Sequence, residues 1–453
     1  MAAPTKGEEA RTPTRVRRRV STGVWLALLV VLVFGPFVQV DSAQPASRYA
    51  LTAAIWERHS VSVAGYPLGF DKIVRPDGEL RSDKAPGQPL LAVPVFAVGK
   101  LFGVEAATHQ RDDRNLGLWW VTLWSSVLPL AMLVVLMRRM ALRVTDEATI
   151  AAPLAIAFAT TITAFAPQLF GHVLASFFAY AAWYVLRDAR RQRWGPWFAG
   201  GALMGAAVIT EFPTVLIAVV LTAFVVWRAR RRVLWFFGGA ALPGLVGAAY
   251  NRIAFGSFRA VSYGEKHKAG SHRVFGLGVP SPYQLARIFF DQRGLLIATP
   301  IVVLAVVLAI RQARRPGPPR LDAIVALAIF GLFLALQASW PNPWGGDSPG
   351  PRYIIPALPF LAVPLAAGWN SVRRAAIAAT AWGGICMALP VLFGSLVPKT
   401  AAPLDYWRAQ LRAHEFVPTV WTMAFGPVGV VLFAGTVLFV IVQLTSRSSR
   451  LRS

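Results

Sequence analysis

Long apolar runs separated by short arginine-rich loops constrain this chain more than any other feature. Twelve runs can be drawn, over 22–40, 116–137, 148–166, 169–186, 195–210, 213–227, 233–251, 294–310, 322–339, 353–371, 375–396 and 420–443. A helix needs roughly 20 apolar residues to cross the hydrocarbon of a bilayer. In lipid, only helices and closed barrels satisfy every backbone polar group. With 55% hydrophobic and 15% charged residues, the composition is that of a membrane protein. The expected fold is all-α and polytopic, with about 12 transmembrane helices.

The formal net charge of +25 would suggest nucleic acid in a soluble protein. Here it follows sides. With the N-terminus in the cytoplasm, every short basic loop falls inside: Arg15 to Arg19, Arg138 to Arg143, Arg187 to Arg193, Arg228 to Arg232, Arg311 to Arg320, Arg373 and Arg374, and Arg447 to Arg452. Basic residues in short loops set membrane orientation, so the charge reads as positive-inside bias and nucleic acid loses its support as a partner. Both termini are expected in the cytoplasm. Val16-Arg17-Arg18-Arg19 could open a secretory signal, but the apolar run behind it is long for one, and it is taken as a retained first helix.

The expected organisation is a basic tail over 1–21, one transmembrane domain over 22–443 and a tail over 444–453. Extracytoplasmic loops cover 41–115, 252–293 and 397–419, with a short Trp-, Pro- and Gly-rich loop over 340–352. Pro89 to Val104 is apolar but short, and holds Pro94 and Lys100, so it is expected to lie at the outer surface as a juxtamembrane helix. The stretches 282–290 and 404–411 suit interfacial helices. Cys386 is the single cysteine, so no intrachain disulfide forms, and no metal-ligand cluster appears in the sequence.

Ionisable residues are absent from the middle of the spans, where coupled transporters usually keep them. Polar residues gather at the outer rim instead. Asp41 leaves the first span directly, and Arg48, Asp83, Lys84, His172, Glu211, Asn251, Arg293, Asp347 and Arg352 lie at the same level. Each has a plain structural reading beside a functional one. Asp41 and Asn251 suit helix ends. Arg48, Tyr49 and Arg293 suit interfacial anchors, and Trp344 and Tyr353 an aromatic belt. His172 suits an interhelical hydrogen bond, and Glu211 a turn before Pro213.

Taken in order, these motifs resemble bacterial membrane glycosyltransferases of the GT-C superfamily, particularly the protein O-mannosyltransferase-like (glycosyltransferase family 39-like) and aminoarabinose-transferase-like group. They are Asp41 after the first helix with Arg48-Tyr49, then Ser82-Asp83-Lys84-Ala85-Pro86, then Thr210-Glu211-Phe212-Pro213. Next come Asn251-Arg252 with Tyr263-Gly264 downstream, Gln292-Arg293-Gly294, and Trp344-Gly345-Gly346-Asp347 leading to Arg352-Tyr353. The resemblance spans roughly 25–370.

It implies a polyprenyl-phosphate sugar as donor, used at the outer face of the bacterial cytoplasmic membrane, with Asp41 as general base on an acceptor hydroxyl. Arg48, Tyr49, Asp83, Lys84, His172, Glu211, Asn251, Arg293, Trp344, Arg352 and Tyr353 are the expected donor-binding residues. The acceptor is open among glycan, lipid and protein. Many relatives carry two adjacent acids after the first helix, whereas Asp41 is followed by Ser42, so a metal-assisted variant has no support in the sequence. The alternatives are a lipid or glycolipid transporter and a non-catalytic envelope protein of the same fold.

Overall fold

The computed structural model describes residues 21–39, 42–66, 69, 71–103, 115–267, 277–394 and 396–450. Asp41, the expected base, lies outside them.

Helix α1 (Thr22–Phe34) stops where Pro36 follows, and the chain runs on extended to Gln39. Beyond it come α2 (Ala43–Arg58) and a two-stranded antiparallel hairpin, β1 (Lys72–Val74) with β2 (Leu80–Ser82). Helix α3 (Gly87–Lys100) forms in the stretch expected to hold a juxtamembrane helix, and packs on α2. Helix α4 (Leu116–Thr122) continues through a π turn into α5 (Leu128–Ala141).

The expected span 148–166 is two short helices, α6 (Ala151–Phe158) and α7 (Thr161–Phe165). Thr160 breaks it: its hydroxyl donates to the Ile156 carbonyl and accepts from the Ile162 amide, capping α7. Helices α8 (Gly171–Leu186), α9 (Gly195–Thr210), α10 (Val215–Ala229) and α11 (Val233–Phe255) follow. Helix α11 lies along α9, where Gly201 and Gly239 bring the backbones together. Small residues play this role where lipid supplies no hydrophobic drive between helices.

After α12 (Ser262–His267), the amphipathic α13 (Pro282–Phe290) forms where expected. Helices α14 (Pro300–Ala313) and α15 (Arg320–Ala338) pair, and prolines 356, 359 and 364 turn the expected span 353–371 into a 3-10 segment followed by α16 (Ala362–Gly368). Helix α17 (Arg373–Phe393), the amphipathic α18 (Pro403–Arg412), α19 (Val420–Phe425) and α20 (Val428–Arg450) follow.

Among the described residues, five continuous helical stretches are long and apolar enough to cross a membrane: Leu116–Ala141, Phe212–Phe255, Arg320–Ala338, Ile355–Phe393 and Val428–Thr445. Two of them, 212–255 and 355–393, each hold a pair of expected spans joined through Arg230–Arg232 and Trp369–Val372. Helices α1, α8, α9 and α14 are apolar but shorter. The architecture is therefore that of a mostly helical multi-pass membrane protein, with one small hairpin that the all-α expectation did not contain.

Candidate active site

The site is built around a break in the helical run at Thr210-Glu211-Phe212-Pro213. Pro213 ends the hydrogen-bond ladder, and Glu211 takes an extended conformation between α9 and the next turn. Its amide still donates to Ala207, and its carbonyl accepts from the Thr214 amide and hydroxyl. The residue is buried and its side chain points inward.

Two glycines allow this approach. A Cβ on Gly171 would sit 2.5 Å from Glu211 Oε1, and one on Gly87 would sit 2.7 Å from the backbone of Ile209 and Thr210. The start of α8, the start of α3 and the end of α9 therefore meet closely around the carboxylate.

Arg48 of α2 meets Glu211 with Nη2 at 2.5 Å from Oε1 and gives Nη1 to Gln44 Oε1 at 3.0 Å. Both partners are buried, with side chains 0% and 2% exposed. His172 Nδ1 stands 3.8 Å from the same Oε1, and its Nε2 has no hydrogen-bond partner. Lys84 Nζ lies 3.2 Å from both Asp83 Oδ1 and Asp71 Oδ2, at the end of β2. Burial pushes the Glu211 carboxyl above its ordinary value, while Arg48, Lys84 and Arg352 pull it back.

Arg352 enters from the loop after α15. Its guanidinium lies over the Phe170 ring at 5.7 Å, and Arg48 lies over the same ring at 6.0 Å. No carboxylate of the described residues is within ion-pair distance of Arg352, and its Nε is buried without a hydrogen bond. Tyr353 stacks on Trp340 at 5.1 Å and meets the His172 ring edge-on at 6.0 Å. The Tyr263 ring sits 5.9 Å from Lys84 Nζ and packs on Phe212, and burial raises its hydroxyl well above the ordinary range.

Seven expected site residues thus converge: Arg48, Asp83, Lys84, His172, Glu211, Arg352 and Tyr353. The structure also gathers Asp71, Phe170, Tyr263 and Trp340 there. Other expected residues lie elsewhere. Tyr49 turns away from Arg48 and packs edge-on against Phe96 of α3 at 5.7 Å. Arg293 gives its guanidinium to the carbonyls of Ser348 at 2.6 Å, Val397 at 3.2 Å, Pro398 at 2.6 Å and Ala401. It ties three loops together, with Trp344 packed beside it at 5.9 Å. Asn251 is half-buried on α11, and among the described residues no hydrogen bond or ion pair joins it to the cluster. Among the described residues no group of three or more His, Cys, Asp or Glu is placed to hold a metal.

No protein-family model matches the chain, and no curated protein matches it in sequence. Its fold does match solved structures. ArnT from Cupriavidus metallidurans bound to undecaprenyl phosphate superimposes with a TM-score of 0.54 at 16% identity, over 94% of this chain and 72% of that one. The apo form of that protein gives the same score over 71% of its length. The archaeal oligosaccharyltransferase AglB from Archaeoglobus fulgidus, in complex with an inhibitory peptide and a dolichol-phosphate, gives 0.51 at 14% identity. That match covers 90% of this chain and 58% of AglB. These are glycosyltransferases of the GT-C superfamily. The chain has the fold of the GT-C membrane glycosyltransferases.

Proposed function

We propose that the protein transfers a sugar from a polyprenyl-phosphate donor to an acceptor hydroxyl at the outer face of the cytoplasmic membrane. The observation that carries this reading is the convergence of Arg48, Lys84 and Arg352 at one end of a GT-C fold, with Arg352 paired to no carboxylate among the described residues. A lipid phosphate is a multiply charged anion held at headgroup level. Buried guanidinium donors suit it by bidentate, charge-assisted hydrogen bonds.

In the reaction the acceptor oxygen bonds to C1 of the sugar, and the bond from C1 to the phosphate oxygen breaks. The electron pair leaves with the polyprenyl phosphate, whose growing charge the cations stabilise. Asp41 takes the acceptor proton as the attack proceeds. Glu211 holds Arg48 in place, and Asp71 and Asp83 hold Lys84. Phe170, Trp340 and Tyr353 form the aromatic wall on which a sugar ring packs.

The test compares envelope glycans and polyprenyl-phosphate sugars by mass spectrometry in a deletion strain, the strain restored with wild type, and the strain restored with Asp41→Asn at matched protein level. Wild type is expected to restore a missing glycan. Asp41→Asn is expected to leave it missing, with unused donor accumulating. Equal restoration by both removes Asp41 as the base, and favours transport or a structural role.

A further inference from the structure

At the other end of the helices, a cavity of about 520 Å³ opens beneath the connection between α10 and α11. Arg191, Trp227, Arg228, Arg230, Arg231 and Arg232 line it. Two connections meet there, because Arg232 gives Nε to the Arg191 carbonyl at 2.7 Å and Nη2 to the Gln192 carbonyl at 3.0 Å. Among the described residues none of these five arginines pairs with a carboxylate. Five like charges around one concavity repel one another unless an anion lies between them. Trp227, which lines the cavity, is 69% exposed, and on the neighbouring helix starts Trp194 and Trp235 meet at a tilt with ring centroids 5.0 Å apart. Indoles at that level mark the headgroup region of a bilayer.

We infer that this cavity is a binding site for the phosphate head group of an anionic phospholipid, drawn from the leaflet that the basic loops face. Basic pockets between membrane helices take such head groups, and guanidinium forks grip their phosphates. Positive-inside charge alone needs only that arginines be present. It does not require them to converge on a cavity braced by Arg232 and edged by tryptophan.

The test uses the full-length protein in phosphatidylcholine nanodiscs with and without cardiolipin, and reads lipid retained through purification by native mass spectrometry. Four proteins are compared: wild type, Arg228→Gln/Arg230→Gln/Arg231→Gln, the same three positions changed to Lys, and a charge-matched control, Arg311→Gln/Arg314→Gln/Arg315→Gln. The control neutralises three arginines at the end of α14 rather than in the cavity. The Lys protein keeps the charges that set topology.

Wild type and the control are expected to retain cardiolipin over phosphatidylcholine. The cavity Gln protein is expected to lose retention by roughly a hundredfold, and the Lys protein by a smaller factor, because the forks are gone. Equal loss in cavity and control proteins would overturn the inference in favour of diffuse charge. So would full retention by the Lys protein. Protection of detergent-solubilised wild type by inorganic pyrophosphate, without cardiolipin retention, would assign the cavity to a soluble phosphate instead.

Discussion

Two arginine–carboxylate pairs with buried carboxylates stand at opposite ends of this molecule, and they are built to different ends. Arg187 and Asp322 meet as a fork. Nε lies 3.0 and 2.9 Å from the two carboxylate oxygens, and Nη2 lies 2.8 Å from Oδ2. Trp183 Nε1 adds a bond to Asp322 at 3.1 Å, and Asp188 takes Nη1 of Arg187 at 2.9 Å and Nη1 of Arg143 at 3.1 Å. Cations and carboxylates match, and the network joins α8 to α15.

Arg48 and Glu211 meet through one short contact instead. Around them Arg48 Nε, Arg352 Nε and His172 Nε2 remain buried without hydrogen bonds. A fully satisfied network rigidifies, whereas donors left over in a buried cluster are costly. The first pair is a clamp. The second leaves two guanidinium donors over, which is what the proposed phosphate site requires.

The sharpest way to break that contrast is to remove one carboxylate from each pair. Glu211→Gln strands the buried Arg48 guanidinium and is expected to cost about 3–5 kcal/mol, whereas Asp322→Asn leaves the half-buried Arg187 its bond to Asp188 and is expected to cost about 1–3 kcal/mol, both read as lost thermal stability of the purified protein. Added polyprenyl phosphate should raise the melting temperature of Asp322→Asn, whose binding residues are untouched, and raise that of Glu211→Gln much less, because Arg48 has lost the carboxylate that positions it. It should raise the melting temperature of wild type. Equal rescue of both variants would erase the distinction.

Arg352→Gln should behave oppositely. Because Arg352 pairs with no carboxylate among the described residues, the loss of stability should be limited to its packing on Phe170 and Tyr353, about 1 kcal/mol. Donor affinity should fall by about tenfold or more, the value of one charged hydrogen bond. A large stability loss with unchanged affinity would make Arg352 structural. Gly171→Ala should cost about 1–3 kcal/mol, since the added Cβ forces Glu211 or α8 to shift. Substrate turnover should fall with it, whereas a neutral result would show that the approach is loose.

The smallest effect lies in the hairpin. Hydrogen bonds from Ser62 and Arg81 hold the exposed Glu79 carboxyl below its usual value of 4.5. A depressed carboxylate contributes stability above its unfolded value and loses it as the pH falls through the folded one. Local amide protection in wild type and Glu79→Gln should therefore differ near neutral pH and converge in acid. A difference that persists in acid would mean the carboxylate charge is not what holds the turn.

Much of this was legible in the residues, and the reasons differ by region. Helices α13 and α18 stood out because their apolar residues recur at helical spacing next to prolines. The break at Glu211 was announced by Pro213. Arg48 and Tyr49 read alike in sequence, yet a helix turns by 3.6 residues, so neighbours face different surroundings. One reaches the cluster and the other the α3 core. Arg293 looked like a phosphate ligand, but carbonyls from Ser348, Val397 and Pro398 arrive from distant loops, and backbone acceptors leave no mark in a sequence. The same distance hid Asp71, Phe170 and Trp340. The hairpin did leave a signal: Pro76-Asp77-Gly78, with Gly78 at φ +82, is a turn between two short strands.

The most direct test of the central claim is binding of undecaprenyl phosphate to the purified protein, wild type against Arg352→Gln, at matched thermal stability. The expected result is that wild type binds and that Arg352→Gln binds about tenfold more weakly while melting within a few degrees of wild type. Equal affinity in both, or no binding by wild type, would contradict it.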